Sequence, residues 1–534
     1  MTYVVTQNCC NDATCVAVCP VDCIHPRPDE PAYHTAEMLY IDPQTCIDCG
    51  ACAEVCPVDA IIPEDELTAE TARYLDLNAD YYARAPRGTA PQAPSAGEPP
   101  AGDEPAAAPL RVAIIGSGPA ACYAAADLLA RPGIEVEVTM LERLPFAGGL
   151  VRYGVAPDHA GTKRIARMFE RTIRDDRVRL YLNVDVGRDM SVDDILAYHH
   201  AVVFATGADH DRRLDIPGEQ LPGSHSAREF VAWYNGHSDH ADRDFDLSGP
   251  RAVIVGNGNV ALDVARILAR GATALRHTDI ADHALAALAD SEIREVLVLG
   301  RRGPAAAACT TPELLGLADL TGVDVTVAER VPIGDDATVK EQVLAEYAQQ
   351  EPTPGRNRIT LRFHTTPVEI LGTERVTAIR VRTADGGTED IECRLVLRSI
   401  GYRGTPVADL PFDGARGTVA NVDGRVVADR VRPGRYVAGW IKRGPTGVIG
   451  TNQACAQETV DALLADFRAG SLVHPDAYAD AEQFEMFLRA RRPEAMTAAD
   501  WFAIDRHERI EGTRQGRPRV KLIDPQSVLS PTPA

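Results

Sequence analysis

The sequence contains no apolar run long enough to cross a bilayer, and Met1-Thr2-Tyr3-Val4-Val5 has neither the charged start nor the apolar core of a secretion signal. A cytoplasmic protein that uses no membrane is expected. Positive charge is also scarce: 55 Lys and Arg stand against 77 Asp and Glu, a net charge of −22. Nucleic acid and anionic lipid, which need a basic face, are therefore not expected as partners. The shortage is sharpest in residues 1–85, where only Arg27, Arg73 and Arg84 face 15 carboxylates. Such an acidic surface either steers a basic docking face or simply aids solubility. Cysteine is nearly missing beyond residue 56, where Cys122, Cys309, Cys393 and Cys455 are scattered and read as core residues. The other nine cysteines lie between Cys9 and Cys56, a clustering that fits metal thiolates in a reducing compartment better than a disulfide framework.

Cys46, Cys49, Cys52 and Cys56-Pro57 form a C-x2-C-x2-C-x3-C-P run, the spacing of iron–sulfur ligands. The fourth cysteine of such a run ligates the other cluster where two are present, so a second set is required. Counting back from Cys19-Pro20 gives Cys15 and Cys9, with Asp12 standing where the run wants another cysteine. One site then has only the thiolates of Cys9, Cys15 and Cys56, and a 3Fe–4S cluster is expected there. Asp12 offers a hard oxygen that could hold a fourth iron. A 4Fe–4S cluster is expected on Cys19, Cys46, Cys49 and Cys52. Cys10 and Cys23 are not expected to be ligands.

Residues 86–109 are Ala, Pro and Gly with little else, a composition that builds no core and suits a semi-extended tether. The body beyond opens with a strand from Leu110. The turn Gly116-Ser-Gly118-Pro-Ala120-Ala121 follows, then an Ala-rich helix and the strand Val136–Leu141 ending in Glu142. This is the dinucleotide-binding fingerprint. Gly116 allows the tight turn, Gly118 lets the backbone approach a pyrophosphate, Ala121 allows close helix packing, and Glu142 accepts from a ribose hydroxyl. The unit recurs as a strand Arg251–Val255, the turn Gly256-Asn257-Gly258-Asn259-Val260-Ala261 and a helix. Its returning strand, Val296–Leu299, ends in Gly300-Arg301-Arg302 with no acid. Two guanidiniums at the ribose position suit a 2′-phosphate, so this unit is expected to take NADP and the first FAD. Segment 277–294 reads as a helical insertion. Tyr436–Trp440 reads as a strand entering a glycine turn, and Gly444-Pro-Thr-Gly447-Val448-Ile449-Gly450 as a turn leading into a helix.

At these residues the chain resembles the adrenodoxin-reductase type of ferredoxin–NADP reductase. The resemblance is carried by Gly149-Leu-Val-Arg-Tyr-Gly-Val-Ala-Pro-Asp-His159, by 256–266, by Gly300-Arg-Arg-Gly-Pro304 and by Gly439-Trp-Ile-Lys-Arg-Gly-Pro-Thr-Gly447. Residues 1–60 resemble seven-iron bacterial ferredoxins. The fold implied is α/β, with two Rossmann-like domains for FAD and NADP preceded by a small α+β ferredoxin. The boundaries expected are 1–85 for the ferredoxin, 86–109 for the linker, 110–208 with 388–534 for the FAD domain, and 209–387 for the NADP domain. The resemblance implies that the Gly116–Ala121 turn, Glu142, Leu150, Val186, Trp440 and Gly447 to Ile449 contact FAD. It implies that Asn257 to Val260, Arg301, Arg302 and Glu313 hold NADP, with Gly447 near the nicotinamide. His159, the lone histidine of the flavin-facing motif, is the catalytic candidate for tuning the flavin or relaying a proton. A structural, hydrogen-bonded histidine is the alternative. Family members often carry an acid three residues beyond Glu313; Gly316 stands there.

The function implied is NADPH-dependent electron splitting: hydride transfer between NADPH and FAD, then single electrons through the fused clusters. The expected acceptor is a ferredoxin or another soluble redox protein such as a cytochrome P450. Two alternatives stand beside it: the electron-input subunit of a larger reductase, such as a glutamate-synthase-type small subunit, and a non-enzymatic scaffold with structural clusters. Residues 484–534 carry no cofactor motif.

Overall fold

The structure, a computed structural model, describes residues 2–84, 109–334, 336–407, 409–475 and 480–529. The proline-rich tether expected at 86–109 lies almost wholly outside the described residues.

The N-terminal unit is built on an internal near-repeat. Strand Tyr3–Val5 pairs antiparallel with Ile61–Pro63, and Ile24–His25 pairs antiparallel with Tyr40–Ile41. Each half carries a short helix, Thr14–Val18 or Ala51–Val55, entered through a left-handed residue: Ala13 at φ 58° and Gly50 at φ 76°. The helices end at Cys19 and Cys56, where the prolines that follow forbid helix continuation. The helix Arg73–Arg84 closes the unit. Its buried Asn78 accepts from the amides of Val5 (3.3 Å) and Ile41 (2.9 Å) and donates to the Val5 carbonyl (2.9 Å), so one side chain ties the helix to both strand pairs.

The second unit centres on parallel strands Val178–Leu182, Val136–Glu142, Leu110–Ile115, Ala201–Phe204 and Val431–Val437, in that spatial order. Short antiparallel strands extend both edges. The near-continuous apolar character of the central strands fits a sheet covered on both faces; Val112, Ala113, Ile114, Val202, Val203 and Phe204 are fully buried. The third unit is a six-stranded parallel sheet in the order Ser224–Ser226, Leu395–Arg398, Arg251–Val255, Glu295–Leu299, Asn357–Arg362, Val323–Val327. A three-stranded antiparallel sheet, 366–392, is appended to it.

These pairings correct one boundary. The expected return to the first sheet at residue 388 falls at the start of the strand Thr388–Glu392, which pairs with Ala378–Arg382; Leu395–Arg398 then runs in the middle of the third unit's sheet. The two crossings meet in a short ribbon, His210–Asp211 against Tyr402–Arg403. The return therefore comes after Arg398, because the apolar strand 395–398 completes a parallel sheet that would otherwise be split. Segment 277–294 does contain an added helix, Asp282–Ala289.

The C-terminal helix Ala498–Arg514 packs the chain's end against the junction of the two large units. Glu508, fully buried, takes a two-pronged hydrogen bond from Arg152 at 2.6 and 2.9 Å. Lys521 donates to the Arg152 carbonyl (3.2 Å) and to Asn235 Oδ1 (2.7 Å).

Candidate functional site

The two cysteine sets separate in space as their spacing requires. Cys19, Cys46, Cys49 and Cys52 line one cavity, rimmed by Val21 and Ile47. Cys23, read from sequence as no ligand, lines the same cavity with its sulfur 3.4 Å from that of Cys19. Cys9, Asp12, Cys15 and Cys56 form the other group. Burial, then the proximity of Cys9, Asp12 and Cys56, pushes the Cys15 thiol far above its ordinary value. Thiols buried in this way become thiolates when a cation binds them, and three cysteines beside one carboxylate are a donor set that fits thiolate-held iron. Asp12 sits within this group, accepting from Thr14 Oγ1 and facing the Cys10 sulfur at 3.9 Å.

The N-terminal unit turns this second group toward the large units. The amide of Gly450 donates to the Cys10 carbonyl at 2.6 Å. A side chain at Gly450 would meet the Asn11 carbonyl oxygen at 2.0 Å, so only glycine allows this approach. Gln7 and Asn8 press on Gly316 and Gly161. Around this contact Glu37 accepts from the Thr311 amide (2.7 Å) and Lys340 Nζ (2.9 Å), Tyr74 donates to the Pro312 carbonyl (3.3 Å), and Arg73 pairs with Glu346 (2.7 Å). Arg164 pairs with Asp59. The N-terminal unit thus bridges both large units.

The first fingerprint folds as expected. Gly116 has φ 113°, and a side chain there would meet the Ala205 carbonyl oxygen at 2.6 Å. The helix Pro119–Ala130 starts at Gly118 with no side-chain cap, leaving its first amides available to a pyrophosphate. Gly149, at φ 51°, approaches Gly118 so closely that a side chain would meet its Cα at 2.8 Å, and Ala120 receives Gly439 in the same manner. Ala121 is fully buried. Glu142 lies at the strand end, accepting from Ser117 N (3.0 Å), Ser117 Oγ (2.7 Å) and Leu144 N (2.9 Å), while burial pushes its carboxyl up. Leu150 is exposed at the start of a short helix, and Val186 is half-buried, bridged to Met190. Trp440 stacks on Tyr402 and donates to the Thr446 carbonyl (3.1 Å). Gly447 is left-handed at φ 77°, and the next amide, Val448, donates to Thr451 Oγ1 (3.1 Å). Ile449 packs on the core of the first large unit, one residue before the contact of Gly450 with the N-terminal unit.

The second fingerprint is the more open. Gly256 is at φ 112° under the Ser399 carbonyl, and a side chain at Gly258 would meet nothing within 4 Å. The helix Asn259–Leu275 is likewise uncapped. Asn257 accepts from Ala308 N (3.3 Å), Asn259 exchanges hydrogen bonds with Thr310, and Val260 is half-buried beside them. Arg301 and Arg302 are exposed at the end of strand Glu295–Leu299 and form no ion pair among the described residues. Both turns therefore fit a dinucleotide: uncapped amides, no side chain in the way, and an acid in one and two free cations in the other.

His159 is not isolated. Arg266 donates to its Nε2 at 2.7 Å, which assigns the proton of the neutral ring to Nδ1, and Glu313 Oε1 lies 3.9 Å from Nδ1. Asp263 lies 3.9 Å from Nε2 and bonds Arg266 at 2.6 Å; Asp158 bonds Arg266 at 2.7 Å and Arg270 at 3.0 Å. His159, Asp263 and Glu313 approach closely enough to hold a cation, but the Arg266 guanidinium already supplies the positive charge between them. Burial and then Asp263 raise the Glu313 carboxyl, against the pull of His159 and Arg266. The carboxylates near His159 thus come from Glu313 and Asp263, not from position 316. Sequence reasoning missed Asp158, Asp263, Arg266 and Arg270. Asp158, Asp263 and Arg266 lay in the stretches that carry the family resemblance, and the D-x-x-R spacing puts Asp263 and Arg266 on one helix face; Arg270 gave no signal.

Residues 110–439 match the pyridine nucleotide-disulphide oxidoreductase family, and residues 39–62 match the 4Fe-4S binding domain. A probable ferredoxin/ferredoxin–NADP reductase of Mycobacterium tuberculosis is 47% identical over 99% of this chain and 95% of its own length. One of Mycobacterium leprae is 46% identical over 99% and 98%. The structure of Mycobacterium tuberculosis FprA in complex with NADPH superposes with a TM-score of 0.74 at 46% identity, covering 79% of this chain and 99% of that one. Neither the input-subunit nor the scaffold alternative is favoured by these relatives.

Proposed function

The chain belongs to the ferredoxin–NADP reductases of the pyridine nucleotide-disulphide oxidoreductase family, and from this we propose that it carries electrons from NADPH to the ferredoxin at its own N-terminus and on to an external acceptor. FAD supplies the hydride and one-electron chemistry when bound, and the iron–sulfur centres supply the one-electron exit. The protein positions them. The Gly116–Ala121 turn, Glu142, Leu150, Val186, Trp440 and Gly447 to Ile449 would hold FAD. Gly256 to Val260 would cradle the NADP pyrophosphate, Arg301 and Arg302 the 2′-phosphate, and Gly447 would lie by the nicotinamide. Glu313 faces His159 and so would act on the same region through that ring. His159 holds its proton at Nδ1 between Arg266 and Glu313, the placement of a group that tunes the flavin or relays a proton.

The observation that carries the proposal is the Gly450–Cys10 contact, which sets the Cys9, Asp12, Cys15 and Cys56 group beside the Gly447–Gly450 turn. A 3Fe–4S cluster on Cys9, Cys15 and Cys56, or a 4Fe–4S cluster completed by Asp12, would stand there, and a 4Fe–4S cluster on Cys19, Cys46, Cys49 and Cys52 beyond it. Among the described residues no helix is long and apolar enough to cross a membrane. A reducing cytoplasm and a soluble acceptor, a ferredoxin or a cytochrome P450, suit this arrangement. Anaerobic addition of NADPH is expected to bleach the flavin and iron–sulfur absorbance in turn. Bleaching of the flavin alone would remove the ferredoxin from the path. A three-iron EPR signal in the oxidised protein tests the first cluster, and its absence with about eight irons per flavin would assign four irons to that site.

A further inference from the structure

The ferredoxin has two ends, and among the described residues only one meets the large units. The inner end meets the large units through Gln7, Asn8, Cys10, Asn11, Glu37 and Tyr74. The outer end carries the cavity of Cys19, Cys46, Cys49 and Cys52, and Cys49 itself is exposed. Exposed large apolar side chains in residues 2–84 are Val18, Val21 and Ile47, the last 58% exposed. All three belong to this end: Val21 and Ile47 line the cavity and Val18 precedes Cys19. Apolar side chains left open together over a redox site mark a contact surface rather than scattered surface residues.

Charge says what the contact is with. Asp48, Glu54, Asp65 and Glu66 are exposed and form no ion pair among the described residues. Asp48, Asp65 and Glu66 act electrostatically on Tyr3, which lines the same cavity. The three arginines of residues 1–85 are engaged elsewhere: Arg27 with Asp22, Arg73 with Glu346 and Arg84 with Asp80. An apolar centre inside an unneutralised acidic rim is complementary to an apolar centre inside a basic rim.

Resting on the reductase reading above, we propose that the face formed by Val18, Val21 and Ile47 and rimmed by Asp48, Asp65 and Glu66 is the docking site for an external redox protein that presents its carrier through an apolar edge ringed by lysines or arginines. The inner face is closed to such a partner because the chain's own body covers it. Ile47 then sets close approach, and the carboxylates set encounter rate and salt dependence.

Cytochrome c, a basic redox protein, is a suitable probe for the holoprotein. Carbodiimide coupling, which joins carboxylates to lysines in contact, is expected to link it to Asp48, Asp65 or Glu66. The Asp65→Asn/Glu66→Gln variant leaves the cysteine loop untouched. It is expected to raise the Kd for cytochrome c at low salt about three- to tenfold, with each rim carboxylate contributing roughly 0.3–0.7 kcal/mol. Ile47→Ser is expected to slow cytochrome c reduction at saturating cytochrome, compared with the parent protein at equal iron content. Cross-links confined to the two large units, or an unchanged Kd in the rim variant, would overturn the proposal. Failure of the parent protein to oxidise NADPH with ferricyanide would instead overturn the reductase reading, and the cross-linking map would still decide the face.

Discussion

Coenzyme choice is proposed to rest on two arginines, and a buried ion pair holds the domain junction. Arg301 and Arg302 stand exposed at the end of the strand Glu295–Leu299, where an acid would select the unphosphorylated ribose. Arg301→Ala with Arg302→Ala is expected to weaken NADPH by about 10²- to 10⁴-fold, two charge-assisted contacts at roughly 1.5–3 kcal/mol each, and to leave NADH turnover nearly unchanged. Steady-state kinetics with both coenzymes checks this, and an equal fall in both would show that the arginines do not read the phosphate. At the junction, Arg152 and then its hydrogen bonds, with help from Arg519, hold the buried Glu508 carboxyl down at about 2. A depressed carboxylate contributes stability above its unfolded value, and that contribution is lost as pH falls toward the folded one. Glu508→Gln is therefore expected to cost about 3–5 kcal/mol near pH 7, since it leaves Arg152 buried and unpaired. Chemical denaturation followed between pH 7 and 3 should show the gap to the parent narrowing as acid is added. The fingerprint residues were legible in the sequence because glycine turns, strand-end acids and arginines act at fixed offsets. The partners of His159 were not: Asp263 and Arg266 lie more than a hundred residues away and reach it only through tertiary packing.

At the scale of elements, the helix Thr451–Arg468 and the turn before it join the flavin-site candidates to the ferredoxin. Gly450 has an ordinary helical backbone, φ −69°, so alanine there would not strain the helix. It would place a methyl 2.0 Å from the Asn11 oxygen, a collision with backbone that no rotamer relieves. Gly450→Ala is expected to separate the ferredoxin from the body, raising the radius of gyration in solution scattering and the exchange rate of the Gly450 neighbourhood. A variant as compact as the parent would show that this contact does not hold the domains together. Element order was legible from periodicity and glycine turns, including both strand–turn–helix units. The return crossing was not, because the strand Leu395–Arg398 reads as a generic apolar segment. Only its pairing with Arg251–Val255 and Ser224–Ser226 assigns it to the third unit.

For the whole molecule, the sequence announced an acidic ferredoxin on a reductase body but gave no sign of how the two sit. Contacts between surfaces distant in sequence leave no periodicity to read. In the structure Glu37, Tyr74 and Arg73 fasten the ferredoxin to one nucleotide-binding unit, and Cys10 and Asp59 meet the other. Several of these contacts are ionic and partly exposed, so Glu37→Gln is expected to loosen the ferredoxin modestly, by about 1 kcal/mol, with the effect fading at high salt. Scattering at 50 mM and 500 mM salt checks it. Electrons from NADPH are proposed to reach the iron–sulfur centres of the same chain. This is tested by stopped-flow mixing with NADPH under anaerobic conditions at several protein concentrations. Transfer within one chain predicts that iron–sulfur bleaching follows flavin bleaching with a first-order rate independent of protein concentration. A rate rising in proportion to protein concentration would mean transfer between chains and would contradict it.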